Sequence, residues 1–334
     1  MRHITIGNRI VGDGYPVFII AEIGLNHNGD MKLARTLIEK AKLVGADAVK
    51  FQIFKAEELY RNTEQNFRLF KKLEFSEDQW GELRDFSAEV GILFGASVFG
   101  PWSVEVLSRI NPDFFKVASC DVDNFPLLRS IAEKNKPVIL STGGSYIGEI
   151  EAALNVIYKY NQDVVLLHCV SSYPARPEEV NLKAIWTMKT VFRVPVGFSD
   201  HTIGILIPIV ATAIGANVIE KHFTMNKNLP GPDHKLSLDV EEFKWMVEWI
   251  RLTEIALGDG VKRPTKSEEN FRHVARRSIY SKDKIRKGEV IVKEKLAILR
   301  PRAGIEPKYL EFIIGKKARK DLDEGEPITW DAII

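Results

Sequence analysis

KPVILSTGG, residues 136–144, contains the pattern that best indicates the fold class: a short apolar run that ends in small polar residues. The same pattern recurs in AVKFQI (48–53), FFKVA (114–118) and VVLLHC (164–169). Uninterrupted apolar runs of this length are typical of strands that are buried on both faces, as in a parallel sheet covered by helices.

On both sides of this run, such strands alternate along the chain with segments whose apolar residues recur at helical spacing. The predicted strands are 18–23, 48–53, 93–97, 114–118, 137–141, 164–169, 194–198 and 217–221. The predicted helices are 32–44, 77–90, 102–109, 126–134, 147–160, 182–190, 203–214 and 240–257, with Trp245 and Trp249 on the core face of the last one. Eight strand–helix units in about 260 residues match a (β/α)8 TIM barrel. A doubly wound open sheet is the competitor, but the glycine-rich turn expected after its first strand is missing.

The two ends of the chain differ from this alternation. Residues 3–15 alternate around two glycines, which predicts a hairpin that closes the barrel bottom within a catalytic domain of residues 1–270. GDGVKRPTKSEE (258–269) has linker character, and residues 271–334 are predicted to form a small β-rich domain with strands at 278–281 and 290–291. So small a core is expected to need a docking surface.

Composition excludes several classes of protein. The 334 residues carry 47 basic and 45 acidic side chains, a net charge of +2, which lacks the basic excess of a dedicated nucleic-acid binder. Two cysteines are too few for a disulfide framework. The longest apolar stretch, 203–216, contains Pro208 and is shorter than the ~20 residues of a membrane span. We expect a soluble, cytoplasmic protein that binds neither nucleic acid nor membranes.

Polar side chains concentrate where the predicted strands end, the face that carries the active site in TIM barrels. They are Glu22, Lys50, Ser97, Lys116, Ser119, Ser141, Ser171, Tyr173, Ser199, Asp200, His201, Glu220, Lys221 and His222. Mutual hydrogen bonding would explain some of them, but seldom polar groups at every strand end.

Two lysines, Lys50 and Lys116, lie within apolar strands. One interpretation is a buried lysine paired with Glu22 or Asp47. The other is an anion site, since lysines supply point charges and the neighbouring serine hydroxyls donate to phosphate oxygens. We favour a phosphate or a phosphorylated carboxylate as the ligand.

Two histidines, His201 and His222, end adjacent predicted strands, so their imidazoles can converge on one divalent ion such as Mn, Fe, Co or Zn. A pair of hydrogen-bonded histidines is the alternative. His27, His168 and His234 are weaker metal candidates.

A dozen stretches in series resemble the sialic acid synthase family. In the first part of the chain these include AEIGLNHNGD (21–30), AKLVGADAVKFQ (41–52), FKVASCDVDNFPLL (115–128) and KPVILSTGG (136–144). They continue with LLHCVSSYPA (166–175), VGFSDHTIG (196–204), GANVIEKHFT (215–224) and GPDHKLSL (231–238). The tail, with RRSIYSKDKIRKGEVI and LAILRPRAGIEP, resembles the family's antifreeze-like domain, also called the SAF domain.

The resemblance implies a TIM barrel followed by a β-clip SAF domain. It implies condensation of phosphoenolpyruvate with an N-acylated amino sugar and water to give a nine-carbon 2-keto sugar acid and phosphate. It also implies a divalent metal, with Mn favoured over Mg or Co, and a homodimer in which each SAF domain covers the partner's active site.

Motif positions carry over residue by residue. The resemblance implies that phosphoenolpyruvate is bound by Lys50, Ser97, Lys116, Ser119, Ser141, Ser171 and Ser199. It makes His201 and His222 the metal ligands, and Glu22 a candidate for proton transfer or for orienting a water on the metal. The sugar would be faced by Asp121, Tyr173, Asp233 and the neighbouring subunit's counterpart of Arg300.

More than one acceptor sugar and more than one class of function are compatible with the sequence. N-acetylmannosamine, giving N-acetylneuraminate, is favoured, and a 2,4-diacetamido-trideoxy hexose, giving legionaminic or pseudaminic acid, follows closely. A more remote alternative is a non-catalytic carbohydrate-binding barrel, which would predict gaps among the two lysines and two histidines; all four are present. A phosphoenolpyruvate-condensing barrel of the sugar-phosphate type is disfavoured by the C-terminal domain.

Overall fold

The computed structural model describes residues 2–334 and divides the chain into two compact units. The first unit runs up to Gly258, and the second spans Asp259–Ile334. The division therefore falls at the start of the linker-like stretch, before the boundary that the sequence places between residues 270 and 271.

The first unit is a closed barrel of eight parallel strands preceded by an antiparallel hairpin. The hairpin strands are β1 (Ile4–Ile6) and β2 (Arg9–Val11). The barrel strands are β3 (Phe18–Gly24), β4 (Ala48–Ile53), β5 (Leu93–Val98), β6 (Phe114–Val117), β7 (Val138–Ser141), β8 (Val164–Cys169), β9 (Val196–Asp200) and β10 (Val218–His222). Each barrel strand pairs with the next along the chain, and β10 closes the ring against β3, which confirms the predicted (β/α)8 barrel.

Helices surround the barrel. They are α1 (Met31–Leu43), α2 (Ala56–Leu59), α3 (Gln65–Leu73), α4 (Glu77–Val90), α5 (Pro101–Arg109), α6 (Phe125–Ala132), α7 (Ile147–Ile157), α8 (Ala184–Phe192), α9 (Leu206–Ala213) and α10 (Val240–Leu257). The sequence did not predict α2 or α3. Their apolar side chains belong to, or pack against, a small separate cluster that includes Leu25, Phe54 and Leu73. Leu25 and Phe54 lie outside both helices, so the sequence of the two helices alone does not show what their apolar residues contact.

Local signals explain how some helices begin and which face they bury. The Ser76 hydroxyl accepts a hydrogen bond from the backbone N–H of Gln79, the predicted capping box of α4. On α10 the buried face is formed by residues such as Phe243 and Met246. The prediction that Trp245 and Trp249 face the core is wrong, since they are 46% and 53% exposed on the flank of that helix.

The hairpin closes the N-terminal end of the barrel, as predicted. Ile4, Ile6 and Val11 are buried in one cluster with inward-facing strand residues, including Phe114 of β6. Gly95 makes room for the aromatic ring, because a Cβ there would lie 2.3 Å from Cζ of Phe114. The lower barrel is therefore a packed core, and any chemistry belongs to the opposite end.

The second unit has little regular structure. It contains α11 (Glu269–Ala275), β11 (Ser278–Ser281), β12 (Leu296–Leu299) and α12 (Leu310–Ile313), with β11 antiparallel to β12. Its own core is rich in isoleucine, including Ile279, Ile291 and Ile328. The predicted strand at 290–291 is wrong: Val290 makes only an isolated bridge to Lys317, because turns interrupt the chain on both sides.

Among residues 2–334, no helix is both long and apolar enough to cross a membrane.

Candidate active site

The alternation of side chains along the strands places a polar layer above the apolar interior of the barrel. Ile20, Ala48, Phe114, Ile139 and Val218 face the interior core. Residues two positions further along a strand point to the same side. These residues are Glu22, Lys50, Lys116, Ser141 and Glu220, and all of them are buried at the C-terminal end of the barrel.

Lys50 lies between two carboxylates in this layer. Its Nζ is 3.0 Å from Oε2 of Glu22 and 3.5 Å from Oε2 of Glu220, and it donates to the Ser97 hydroxyl at 3.1 Å. Burial alone would lower the pKa of Lys50, but the two carboxylates raise it above its ordinary value. The pairing of Lys50 with Glu22 is thus present, and Ser97 keeps its own hydrogen free to donate.

The two carboxylates have different electrostatic surroundings. Burial raises the pKa of Glu22 to about 7 even though Lys50 lies beside it. Burial also opposes the charge on Glu220, but Lys116 and Lys50 together hold the pKa of that carboxyl below its usual value. Near neutral pH, Glu22 can therefore take up or release a proton while Glu220 stays charged.

Lys116 lies beside a group of hydroxyls and is 2% exposed. Its Nζ donates to the Ser141 hydroxyl at 2.7 Å and to the carbonyl oxygen of Val117 at 2.8 Å. Burial lowers the pKa of Lys116 to about 8, so the ammonium lacks full charge compensation from the protein. An anion at this position would supply the missing charge.

The turn after β7 brings two further serines to the same place. The backbone N–H of Gly143 donates to the Ser119 hydroxyl at 2.9 Å. A Cβ on Gly143 would lie 2.2 Å from the Ser171 hydroxyl and 3.0 Å from that of Ser119, so only glycine leaves both hydroxyls in place. Gly143 thus brings Ser119 and Ser171 together, and Lys116 contacts Ser141; these three serines are called the serine cluster below.

The sequence indicates Glu220 only as one of the polar strand-end residues, whereas the structure joins it to both Ser199 and Lys50. Its Oε1 accepts a 2.8 Å hydrogen bond from Ser199, while its Oε2 is buried without a hydrogen-bond partner among the described residues. The Ser199 hydrogen is therefore occupied, unlike those of Ser97 and Ser141. The signal was the spacing of two between Glu220 and His222 on one strand, which puts both on the inward face.

The two histidines meet at the ends of β9 and β10. The ring centroids of His201 and His222 lie 5.5 Å apart, and the ring of Tyr173 contacts that of His201 at 4.1 Å between centroids with a tilt of 37°. Nδ1 of His222 is buried without a hydrogen-bond partner among the described residues and lies 3.8 Å from Oδ2 of Asp233. The predicted residues Tyr173 and Asp233 thus border the histidine pair.

The donor set fits a divalent cation with open coordination positions. Nδ1 of His201 lies 2.9 Å from the carbonyl oxygen of Val170, so in the neutral ring Nδ1 carries the hydrogen and Nε2 has the free lone pair. Burial opposes a charge on His201, but Cys169 and this carbonyl raise its pKa, so a metal ion would compete with a proton for Nε2. Burial lowers the pKa of His222 well below its usual range, which keeps this imidazole in the neutral form that metals bind. Within residues 2–334, no group of three or more His, Cys, Asp or Glu side chains could hold a metal. Water or substrate would complete the coordination of an ion held by His201 and His222.

Two predicted site residues make none of the contacts described above. Asp121 accepts a hydrogen bond from the side chain of Asn124 at 3.0 Å, in the loop after β6. Arg300 belongs to the second unit, where it follows β12 and is exposed.

The weaker histidine candidates are engaged elsewhere. His27 lies in an aromatic cluster with Phe75, His168 contacts the carbonyl oxygen of Val180, and His234 contacts the Thr224 hydroxyl.

Two residues assigned to the strand ends point the other way. Asp200 and Lys221 alternate with the inward residues of β9 and β10, and form a fully buried ion pair in the layer between strands and helices. The sequence pattern placed Asp200 and Lys221 with the active-site residues because it did not locate the strand ends to the residue.

Fold and site together define a TIM-barrel protein with a lysine, serine and histidine site at the C-terminal face of the barrel and a small C-terminal domain. The NeuB family model matches residues 37–262, and the SAF domain model matches residues 276–334. The chain belongs to the NeuB family, the sialic acid synthase family, and is an enzyme of that family.

Individual relatives agree with this assignment. The uncharacterized protein MJ1065 of Methanocaldococcus jannaschii is 48% identical, covering 100% of this chain and 99% of that protein. The N,N'-diacetyllegionaminic acid synthase of Campylobacter jejuni is 43% identical, covering 93% of this chain and 98% of its own. The crystal structure of an N-acetylneuraminic acid synthetase from Leptospira borgpetersenii superimposes with a TM-score of 0.77 at 39% identity, covering 81% of this chain and 95% of that one.

Proposed function

We propose that this protein condenses phosphoenolpyruvate with an N-acylated amino sugar and water, giving a nine-carbon 2-keto sugar acid and phosphate. The observation that carries the proposal is the pair of buried lysines, Lys50 and Lys116, beside serine hydroxyls at the end of the barrel where the two histidines meet. Phosphoenolpyruvate has both a phosphate and a carboxylate, and two fixed cations with hydroxyl donors complement that charge.

The binding roles follow from which hydrogens are free. Lys116, Ser119, Ser141 and Ser171 would hold one anionic group of phosphoenolpyruvate, since Ser119 and Ser141 accept hydrogen bonds from the protein and keep their own hydrogens for the ligand. Lys50 and Ser97 would hold the other group, and Ser199 joins when Glu220 releases it.

The reaction would join carbon 3 of phosphoenolpyruvate to the aldehyde carbon of the open-chain sugar. The electron pair of the enol double bond forms the new C–C bond, the aldehyde oxygen takes a proton, and carbon 2 becomes oxocarbenium-like. Water then adds to carbon 2 and loses a proton. The bond between carbon 2 and the bridging oxygen breaks, the new hydroxyl gives up its proton to become the ketone, and phosphate leaves with the bridging oxygen and takes up a proton.

Glu22 is proposed to exchange a proton with the reacting groups, since it lies beside Lys50 and its pKa of about 7 suits acid–base work near neutral pH. A divalent cation on His201 and His222, with Mn favoured over Mg or Co, would polarise the aldehyde oxygen as a Lewis acid. Tyr173 and Asp233 border the histidines and are proposed, with Asp121, to contact the sugar.

For the acceptor, a 2,4-diacetamido-trideoxy hexose is supported by the 43% identity to an N,N'-diacetyllegionaminic acid synthase. N-acetylmannosamine, the acceptor favoured by the sequence resemblance, is the second candidate and is supported by the similarity to the Leptospira N-acetylneuraminic acid synthetase.

The second unit is proposed to act across a homodimer. Within its own unit Arg300 is exposed and has neither an ion pair nor a side-chain hydrogen bond among the described residues, so its guanidinium is free to bind the N-acyl group in the partner's site. If so, mixing inactive Arg300→Ala and His201→Ala proteins under subunit exchange restores activity. Mixtures that exchange subunits and stay inactive would contradict the arrangement.

The function is tested by measuring phosphate release from phosphoenolpyruvate with Mn²⁺, with N-acetylmannosamine and the diacetamido hexoses as separate acceptors. We expect release only with an acceptor, a nine-carbon acid in the mass spectrum, and loss of both with Lys116→Met. Folded, Mn²⁺-supplied protein that binds the sugars but releases no phosphate would favour the carbohydrate-binding alternative.

A further inference from the structure

A buried ion pair lies behind the histidines, on the outer side of the barrel wall. Nζ of Lys221 is 2.5 Å from Oδ2 of Asp200, and neither side chain has any solvent exposure. The two residues are register partners on β10 and β9. The neighbouring outward residues, Phe198 and Ile219, belong to the apolar layer between strands and helices. A charged pair is therefore embedded in hydrophobic surroundings.

The pair occupies a particular place in the sequence. Asp200 directly precedes His201, and Lys221 directly precedes His222. Because side chains alternate along a strand, the pair points outward while both histidines point inward. Joining Asp200 to Lys221 thus fixes one histidine-bearing backbone against the other.

Hydrogen bonds extend this connection past His201. The Asp200 carboxylate accepts from the backbone N–H of Thr202 at 2.9 Å and from its hydroxyl at 3.1 Å. Lys221 also donates to the carbonyl oxygen of Thr202. Asp200 and Thr202, the residues on either side of His201, are therefore joined through the Asp200 carboxylate and the Lys221 ammonium. Lys221 in turn directly precedes His222.

Stability alone does not account for the pair. Removing two charges from water costs several kcal/mol per ion, and replacing a buried pair by apolar side chains of similar volume is often neutral or stabilising. Directional hydrogen bonds fix positions more closely than apolar packing does, and metal ligands must be held within about 0.5 Å of their working geometry.

We propose that Asp200 and Lys221 are positioning residues that hold His201 and His222 at the separation required to bind one divalent cation. The inference rests on the metal site of the proposed function. It goes beyond that function in assigning a role to two residues that touch neither substrate nor metal.

The test is Mn²⁺ affinity, measured without substrates by the electron paramagnetic resonance signal of free Mn²⁺. The variant is Asp200→Leu with Lys221→Met, which removes one charge of each sign and leaves the net charge unchanged. The control is Asp13→Leu with Lys189→Met, since that pair is also joined at 2.5 Å and Lys189 also donates to a backbone carbonyl, that of Gly215. It differs in burial, because the Asp13 side chain is 43% exposed. This control pair lies near the N-terminal end of the barrel, away from the histidines.

We expect the Asp200/Lys221 variant to bind Mn²⁺ roughly 10- to 100-fold more weakly, the usual effect of losing a partner behind a metal ligand. Its metal-free phosphoenolpyruvate affinity should match that of the control variant, and urea titration should show that both variants unfold cooperatively. Should the double variant fail to fold, Lys221→Arg retains the charge but alters the geometry, and it should weaken Mn²⁺ binding in the same way.

Mn²⁺ affinity equal to that of the wild type in either folded variant would overturn the positioning role and leave the proposed function intact. A wild-type protein that binds no Mn²⁺, Mg²⁺ or Co²⁺ yet makes the sugar acid would overturn the metal site, and the positioning role with it.

Discussion

Replacing Lys116 by methionine removes a buried positive charge without a large change in side-chain volume. Lys116 is 2% exposed, so solvent screens its charge poorly. At an effective dielectric constant of about 20, a unit charge about 4 Å from an anion contributes roughly 4 kcal/mol. Losing it corresponds to a decrease of roughly 1000-fold in kcat/KM for phosphoenolpyruvate.

The pH dependence of kcat/KM tests the role of the Lys116 charge in a second way. Burial lowers the pKa of Lys116 to about 8, so the ammonium loses its proton as the pH rises through that value in the free enzyme. Because kcat/KM reports the ionisations of the free enzyme, the wild-type value should fall roughly tenfold per pH unit above pH 8. Lys116→Met should be low at every pH and lack this decline.

The assay is phosphate release at limiting phosphoenolpyruvate between pH 7 and 10, with saturating metal and acceptor. Lys189→Met is the control, because Lys189 is a buried lysine that pairs with Asp13 near the opposite end of the barrel. An anion-binding role for Lys116 is refuted if Lys116→Met retains kcat/KM within tenfold of wild type, or if the wild-type profile stays flat up to pH 10.

Three further predictions concern single groups. Gly143→Ala should raise KM for phosphoenolpyruvate roughly 10- to 100-fold with an intact fold, because the new methyl group displaces Ser119 and Ser171. Gly148→Ala is the control, since the space around Gly148 is open, and equal KM values for the two variants would show that the serine cluster does not bind phosphoenolpyruvate. Gly95→Ala should lower the free energy of unfolding by about 1–3 kcal/mol in urea titrations, because its methyl group clashes with Phe114. Adding Phe114→Leu should recover part of this loss, and no loss in Gly95→Ala would contradict the tight packing of the lower barrel. Burial lowers the pKa of His27 from 6.5 to about 4, so between these pH values the unfolded chain binds a proton that the folded chain does not. The free energy of unfolding should therefore fall by roughly 3 kcal/mol as the pH decreases from 6.5 to 4. His27→Gln should remove this decrease in urea titrations, and an unchanged pH dependence in that variant would disprove the role of His27.

The sequence was sufficient for the barrel because its strands are apolar on both faces. Strands β4 and β8 were predicted with their observed limits, since Ala48–Ile53 and Val164–Cys169 stand out locally. Strand β9 was predicted at 194–198 but is Val196–Asp200. Its last two residues, Ser199 and Asp200, are polar, and their burial depends on partners from β10 that lie far away in sequence.

The candidate site was predictable as a set of residues but not as a network. Alternation and strand ends placed Lys50, Lys116 and the histidines at one face of the barrel. The same pattern could not tell that Glu220 shares Lys50 with Glu22, because that contact joins β10 to β4 across β3. Nor could it show that Lys221 points away from the site, since strand limits uncertain by one residue leave the facing of a side chain undecided.

The proposed C–O cleavage can be tested most directly with phosphoenolpyruvate labelled with ¹⁸O in the bridging oxygen between carbon 2 and phosphorus. During turnover with the preferred amino sugar, we expect the label to appear in the released phosphate and the oxygen on carbon 2 of the sugar acid to come from water. Label retained in the sugar acid, or phosphate released without any acceptor, would contradict the proposed condensation.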